Sequence, residues 1–183
     1  FISIISTIIL LNFSLLTVLG TLLLIATLLI KNKKIYPYFY GSSFTLLNFE
    51  IFNILNLNIF DFFLNYLFPI SLVSGVFSSM MIGHWFLVDP TISKEGMKKI
   101  AITSTFQSLI LTPLVFFEFI GQDIESIFKN VILILFLSTS ILSFASYKSL
   151  GEKSYTGVMA STGLSYLSLI VSLGASGGLL LLS

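Results

Sequence analysis

Apolar runs longer than about 18 residues recur from one end of this chain to the other, and nothing else constrains its fold as strongly. As a helix rising about 1.5 Å per residue, each run is long enough to cross about 30 Å of hydrocarbon. A closed β-barrel also keeps backbone polar groups paired inside a bilayer, but its strands alternate apolar and polar residues over about ten positions. Stretches such as Ile8-Ile9-Leu10-Leu11 and Val131-Ile132-Leu133-Ile134-Leu135-Phe136 are apolar on every side, so helices are expected. Composition agrees. With 56% hydrophobic and 9% charged residues and a mean hydropathy of +1.04, 183 residues cannot cover a water-facing surface.

Polar punctuation divides the chain into an all-α, polytopic transmembrane bundle of about six spans, read as one transmembrane domain over 1–183. The spans fall at about 1–30, 38–58, 62–88, 100–121, 127–150 and 155–182. Phe1 to Ile30 reads as a genuine first span. It is about twice the length of a signal-peptide apolar region and lacks a basic start. Pro37 suits the start of the second span, and Asp61 is expected in the turn after it. Pro69 lies near the beginning of the third span, which stops at Asp89-Pro90. Pro113 should kink the fourth.

Lysine placement predicts orientation, because short cytoplasmic loops collect positive charge. Lys31, Lys33, Lys34, Lys94, Lys98, Lys99, Lys148 and Lys153 all belong to odd-numbered loops, which is eight of the nine lysines. Lys129 is the exception, on the side where Asp61, Asp123 and Glu125 gather. Both termini are therefore expected on the non-cytoplasmic side. Abundant Ile, Phe, Asn, Ser and Lys with no Arg suggests an AT-rich coding genome, hence a bacterial inner membrane or else an organellar one.

Several classes of function are excluded. Without cysteine there is no disulfide, thiolate chemistry or cysteine-ligated metal. A net charge of +1 and the lack of Arg argue against a nucleic-acid partner. No phosphate loop, HExxH, GxSxG or paired catalytic carboxylates occur, and the loops are too short for a soluble catalytic domain. The two halves show no convincing inverted repeat of the kind that builds many carriers.

Ionisable groups in hydrocarbon cost about 2.5 to 3.5 kcal/mol, so each one is a functional candidate. Glu50 lies mid-way along the second span, with Ser43 and Asn53 at helical spacing expected on the same face. It reads either as a proton- or cation-binding carboxylate or as an interhelical hydrogen-bond site. His84, the only histidine, lies about one turn from the inner end of the third span beside Trp85, which suits an interfacial belt. An imidazole there can ligate haem or chlorophyll or relay protons. A second axial ligand would have to come from Met97, Met159 or another subunit, since Met80 shares the helix face of His84. The structural alternative is a hydrogen bond to a neighbouring helix, with Gln107 and Ser161 as the expected partners by depth. Glu118 belongs with the solvated outer rim near Asp123 and Glu125.

Small residues recur every four positions at Gly75, Ser79 and Gly83 and again at Gly174 and Gly178, a spacing that lets helix backbones approach closely. These faces serve packing within the chain or docking against a neighbour.

The segment Gly83-His84-Trp85-Phe86-Leu87-Val88-Asp89-Pro90 resembles a Gly-His-Trp-aromatic-Leu-Val-x-Pro segment of some uncharacterised bacterial integral membrane proteins. Ala160-Ser161-Thr162-Gly163-Leu164-Ser165-Tyr166 resembles a second stretch of that group, Ala-Thr-Gly-Leu-x-Tyr, here interrupted by Ser161. The resemblance implies no activity and groups His84, Trp85 and Tyr166 near the inner face.

The expected function is a non-catalytic membrane subunit or scaffold of a larger energy-converting or transport assembly, with other membrane subunits or a second copy as partners in the lipid bilayer. The alternative is a stand-alone carrier or channel for a small solute or proton, using Glu50 and His84. A haem or chlorophyll holder built on His84 is the third reading.

Overall fold

The structure is a computed structural model that describes residues 14–29, 35–55, 58–91, 93–152 and 155–182. The first half of the expected first span and Lys31, Lys33, Lys34 and Lys153 lie outside the described residues. Those described form six helices: α1 (Leu15–Leu29), α2 (Tyr36–Leu55), α3 (Ile59–Val88), α4 (Glu95–Phe116), α5 (Ser126–Ser149) and α6 (Tyr155–Leu182). By length and composition α3, α4, α5 and α6 are able to cross a membrane, which makes this an integral membrane protein. Over Leu15–Thr27, α1 is apolar but shorter. Tyrosines and Asn48, Glu50 and Asn53 lower the hydropathy of α2.

Three boundaries differ from those expected, and one of them is the start of α4, at Glu95 rather than near Ile100. Asp61 lies in the first turn of α3 rather than in a loop. Helix α4 ends at Phe116 instead of continuing to Gly121. Pro113 has no N–H to give, so the ladder is already weakened there, and Glu118 (φ 59°) and Gly121 (φ 68°) then turn the chain. The Gly121 turn is tight: an added Cβ would meet Ile124 Cδ1 at 2.7 Å and Leu179 Cδ1 at 3.0 Å. Pro69 is accommodated differently. The preceding turns, Phe62–Leu67, widen into a π-helix, and the ring sits at the start of the regular stretch Phe68–Val88.

The chain groups into two compact units, Phe1–Phe62 and Phe63–Ser183. In the first, α1 packs on α2. Gly20 lets the backbones approach, with Leu47 against it, and its carbonyl accepts the Ser43 hydroxyl at 2.8 Å. In the second, short loops join α3 to α6 into an up-down-up-down bundle in which α3 packs on α4, α4 on α5, α5 on α6 and α6 back on α3. One end carries Lys94, Lys98, Lys99 and Lys148. There Lys94 Nζ donates to Glu152 O (3.4 Å) and Tyr155 Oη to Leu87 O (3.1 Å).

Large apolar side chains of this bundle face outward, among them Phe106, Ile134, Ile141 and Ile170, while many serines, Ser108, Ser143, Ser161 and Ser168 among them, face inward. Lipid makes that arrangement favourable. Outside, alkyl side chains meet alkyl chains; inside, small hydroxyl residues allow close backbones and hydrogen bonds between helices.

Candidate functional site

The interior of the four-helix unit has three layers. At the lysine end Phe86, Met97, Leu150 and Val158 form an apolar cluster with Ile82 against it. Toward the other end a larger cluster gathers Leu72, Leu111, Val115, Ile132, Phe136 and Leu179. All four helices contribute to the larger cluster, and in the first Leu150, just past the end of α5, stands beside residues of α3, α4 and α6. Between them lies a hydroxyl layer of Ser79 on α3, Ser104 on α4, Ser143 and Ser146 on α5, and Ser165 and Ser168 on α6, around a small cavity. About 10 Å³ of it is open to the centre of a water-sized sphere.

Hydrogen bonds in and beside this layer cross between helices. Ser143 Oγ and Ser168 Oγ lie 2.9 Å apart, and Ser146 Oγ lies 2.7 Å from Ser161 Oγ and 3.3 Å from Ser165 Oγ. Ser108 donates to Phe136 O (2.6 Å), Ser140 to Thr105 O (3.4 Å) and Ser176 to Pro69 O (3.2 Å). Thr105, Thr139 and Thr162 instead donate to the carbonyl four residues back on their own helices. Ser79 differs: its Oγ is buried with no partner.

This layer was not singled out from the sequence, although its signal was present. Ser161, Ser165, Ser168, Ser172 and Ser176 are spaced four, three, four and four apart, as a single inward helix face requires.

The residues singled out from sequence fall in several places. Gly75 and Gly83 pack within the chain. An added Cβ at Gly75 would lie 3.1 Å from Ser104 Oγ, and one at Gly83 would lie 2.5 Å from Thr162 Oγ1 and 2.8 Å from Met97 Cε. Gly178 and Gly174 approach Ile132 and Leu135 on α5 at ordinary contact distances. Gln107 does not meet His84. It donates to Phe68 O (2.8 Å) and to Ser71 Oγ, and Ser71 is 13 residues, about 20 Å, further along α3. Ser161 is likewise committed to Ser146.

His84 is exposed and makes no hydrogen bond among the described residues, as are exposed Trp85 and Tyr166. Met80 and Met97 point into the bundle and are buried, so neither forms an axial pair with an outward-facing His84. Among the described residues no group of three or more His, Asp or Glu is placed to hold a metal ion.

Ser43 and Glu50 are buried on one face of α2, but Asn53 is exposed. Seven residues bring Ser43 and Glu50 nearly into line, whereas the next three turn Asn53 about 60° away. Glu50 has no hydrogen bond or ion pair among the described residues.

At the rims the carboxylates are ordinary. The Thr91 hydroxyl and then its N–H hold the Asp89 carboxyl below its usual range. Glu118 is held low by its hydrogen bond and charge contact with Lys129 Nζ at 2.6 Å.

No family model, curated protein or solved structure matches this chain.

Proposed function

We propose that this protein is a non-catalytic integral membrane subunit or scaffold of a larger membrane assembly, with both termini on the non-cytoplasmic side of an inner membrane. The observation that carries this reading is the hydroxyl layer bounded at both ends by apolar clusters. Many buried hydroxyls in the four-helix unit bind helix to helix, and no ionisable residue is buried in that unit among the described residues. The outward His84 and Trp85, close to the lysine end, are a face for other membrane subunits or a second copy. The same outward position is where a haem or chlorophyll would have to approach, with its other contacts supplied by a partner.

Gentle solubilisation followed by mass spectrometry should recover the chain with stoichiometric partners, and His84→Ala together with Trp85→Ala should release them without loss of the chain itself. A purified chain with full transport activity alone in liposomes would sink the scaffold reading. The topology is tested by single cysteines at Gly96 and Asp123, which should label from opposite sides of the membrane.

Glu50 favours a second reading, a small-solute or proton carrier. A carboxyl buried on α2 with no partner among the described residues is a costly feature that ion handling would justify. Proton flux in liposomes that disappears in Glu50→Gln would support it.

A further inference from the structure

The cavity in the hydroxyl layer contains an imbalance that its own residues do not correct. Ser79 is only 3% exposed and its Oγ has no partner, although it lines the cavity. Ser104, on the neighbouring helix and also 3% exposed, makes no hydrogen bond among the described residues. Across the cavity, Ser143 and Ser168 bond to each other. In such a pair one O–H donates to the other oxygen, and the accepting hydroxyl keeps a hydrogen with nowhere to go. Burying hydroxyls without partners is unfavourable, and more so in an interior surrounded by hydrocarbon.

We propose that this cavity is a binding site for one water molecule, held by Ser79 and Ser104 and closed by the spare hydrogen of the Ser143–Ser168 pair. The space of about 10 Å³ open to a water's centre matches the room that one buried water needs. A water has two hydrogens to give and two lone pairs to receive, and buried waters commonly make about three bonds to groups otherwise left unsatisfied. A monovalent cation is disfavoured by the same lining. Every polar side chain lining the cavity is a neutral hydroxyl, so an ion would bring an uncompensated charge between two apolar clusters. The inference does not depend on the scaffold reading.

The test turns on a sign. If the cavity holds water, Ser79→Ala and Ser104→Ala each remove a bond to it, and the full chain in detergent should melt about 3 °C or more below wild type. The double variant should lose less than the two singles added together, because both bind one water. In a dry cavity Ser79→Ala removes an unpaired hydroxyl, so an unchanged or raised Tm would overturn the proposal. Water-edited solid-state NMR of the wild-type chain in lipid gives a readout independent of folding. Magnetisation should pass from water to the Ser79 Cβ, and no transfer would also overturn it. Tm should be equal in sodium chloride and choline chloride. A sodium-specific rise that vanishes in Ser79→Ala would replace the water with a cation.

Discussion

The two units of the chain handle polarity in opposite ways. In the four-helix unit the buried polar residues are serines and threonines, most of them paired across a helix interface or to their own backbone, and the Asn65 amide oxygen and Ser79 hydroxyl are buried unpaired among the described residues. In the α1–α2 pair the Ser43 hydroxyl bonds to Gly20 O between the helices, and Glu50 is buried with no partner among the described residues. Hydroxyls are neutral and small, so a membrane bundle accommodates many of them at little cost. A carboxyl brings a larger desolvation penalty and needs a reason to be there. Structure is concentrated in one unit and potential chemistry in the other.

Close packing in the four-helix unit gives the largest expected effect. Gly83→Leu drives carbon into Thr162 and Met97, where an added Cβ already has only 2.5 Å and 2.8 Å. The loss should be about 3 kcal/mol or more, the upper end for overpacking, and should appear as a chain that inserts but fails to resist protease. Gly163→Leu on α6 is the control, because an added Cβ there meets nothing within 4 Å. Equal damage from both would mean that the bundle is not held together at Gly83.

Replacing Glu50 tests the other unit. If the carboxyl has no task, Glu50→Leu should favour membrane insertion of α2 by about 2 to 3 kcal/mol in a glycosylation-mapping assay. Glu50→Gln should gain less, because an amide remains. A variant that inserts better yet abolishes an activity of the assembly would assign Glu50 a functional role and sharpen the contrast between the units.

The helical, membrane-embedded character of the chain was readable because it depends on run length alone, which needs no partner. Helix ends were less readable. Pro113 announced a break, but whether it kinks or terminates α4 depended on Glu118, two residues past the helix end, adopting a positive φ. The site was legible in part. Gly75 and Gly83 declared close packing through their spacing, whereas depth along separate helices misled for Gln107. The relative slide of α3 and α4 decides which residues are level, and that quantity is not written in either helix alone. His84 could not be placed inside or outside from sequence, because α3 is apolar almost all round and gives no face to read.

A smaller effect is expected from the hydroxyl layer taken pair by pair. A double-mutant cycle of Ser143→Ala and Ser168→Ala should give a coupling of about 0.6 kcal/mol, rising to about 1.7 at most, since hydroxyl bonds between membrane helices have that range. A coupling near zero would mean that the many serines act by being small rather than by bonding. The comparison between the units would then rest on packing.

The smallest effect belongs to the rim, at the one lysine on the acidic side. Lys129 Nζ lies 2.6 Å from Glu118 Oε1, and the Glu118 side chain is 63% exposed. Water and salt screen such a pair, so Lys129→Ala should shift Tm by about 1 °C or less. The pH dependence has a defined sign. Lys129 lowers the Glu118 carboxyl below its ordinary value of 4.5, so any stabilisation by the pair is present above that pH and is lost as pH falls through the lower, folded value. The small gap between wild type and variant should therefore close on acidification, and again near about 1 M salt, where the screening length is about 3 Å. Lys129 itself is only 16% exposed. A gap that survives both acid and salt would come from the packing of its alkyl stem against the bundle, not from its charge.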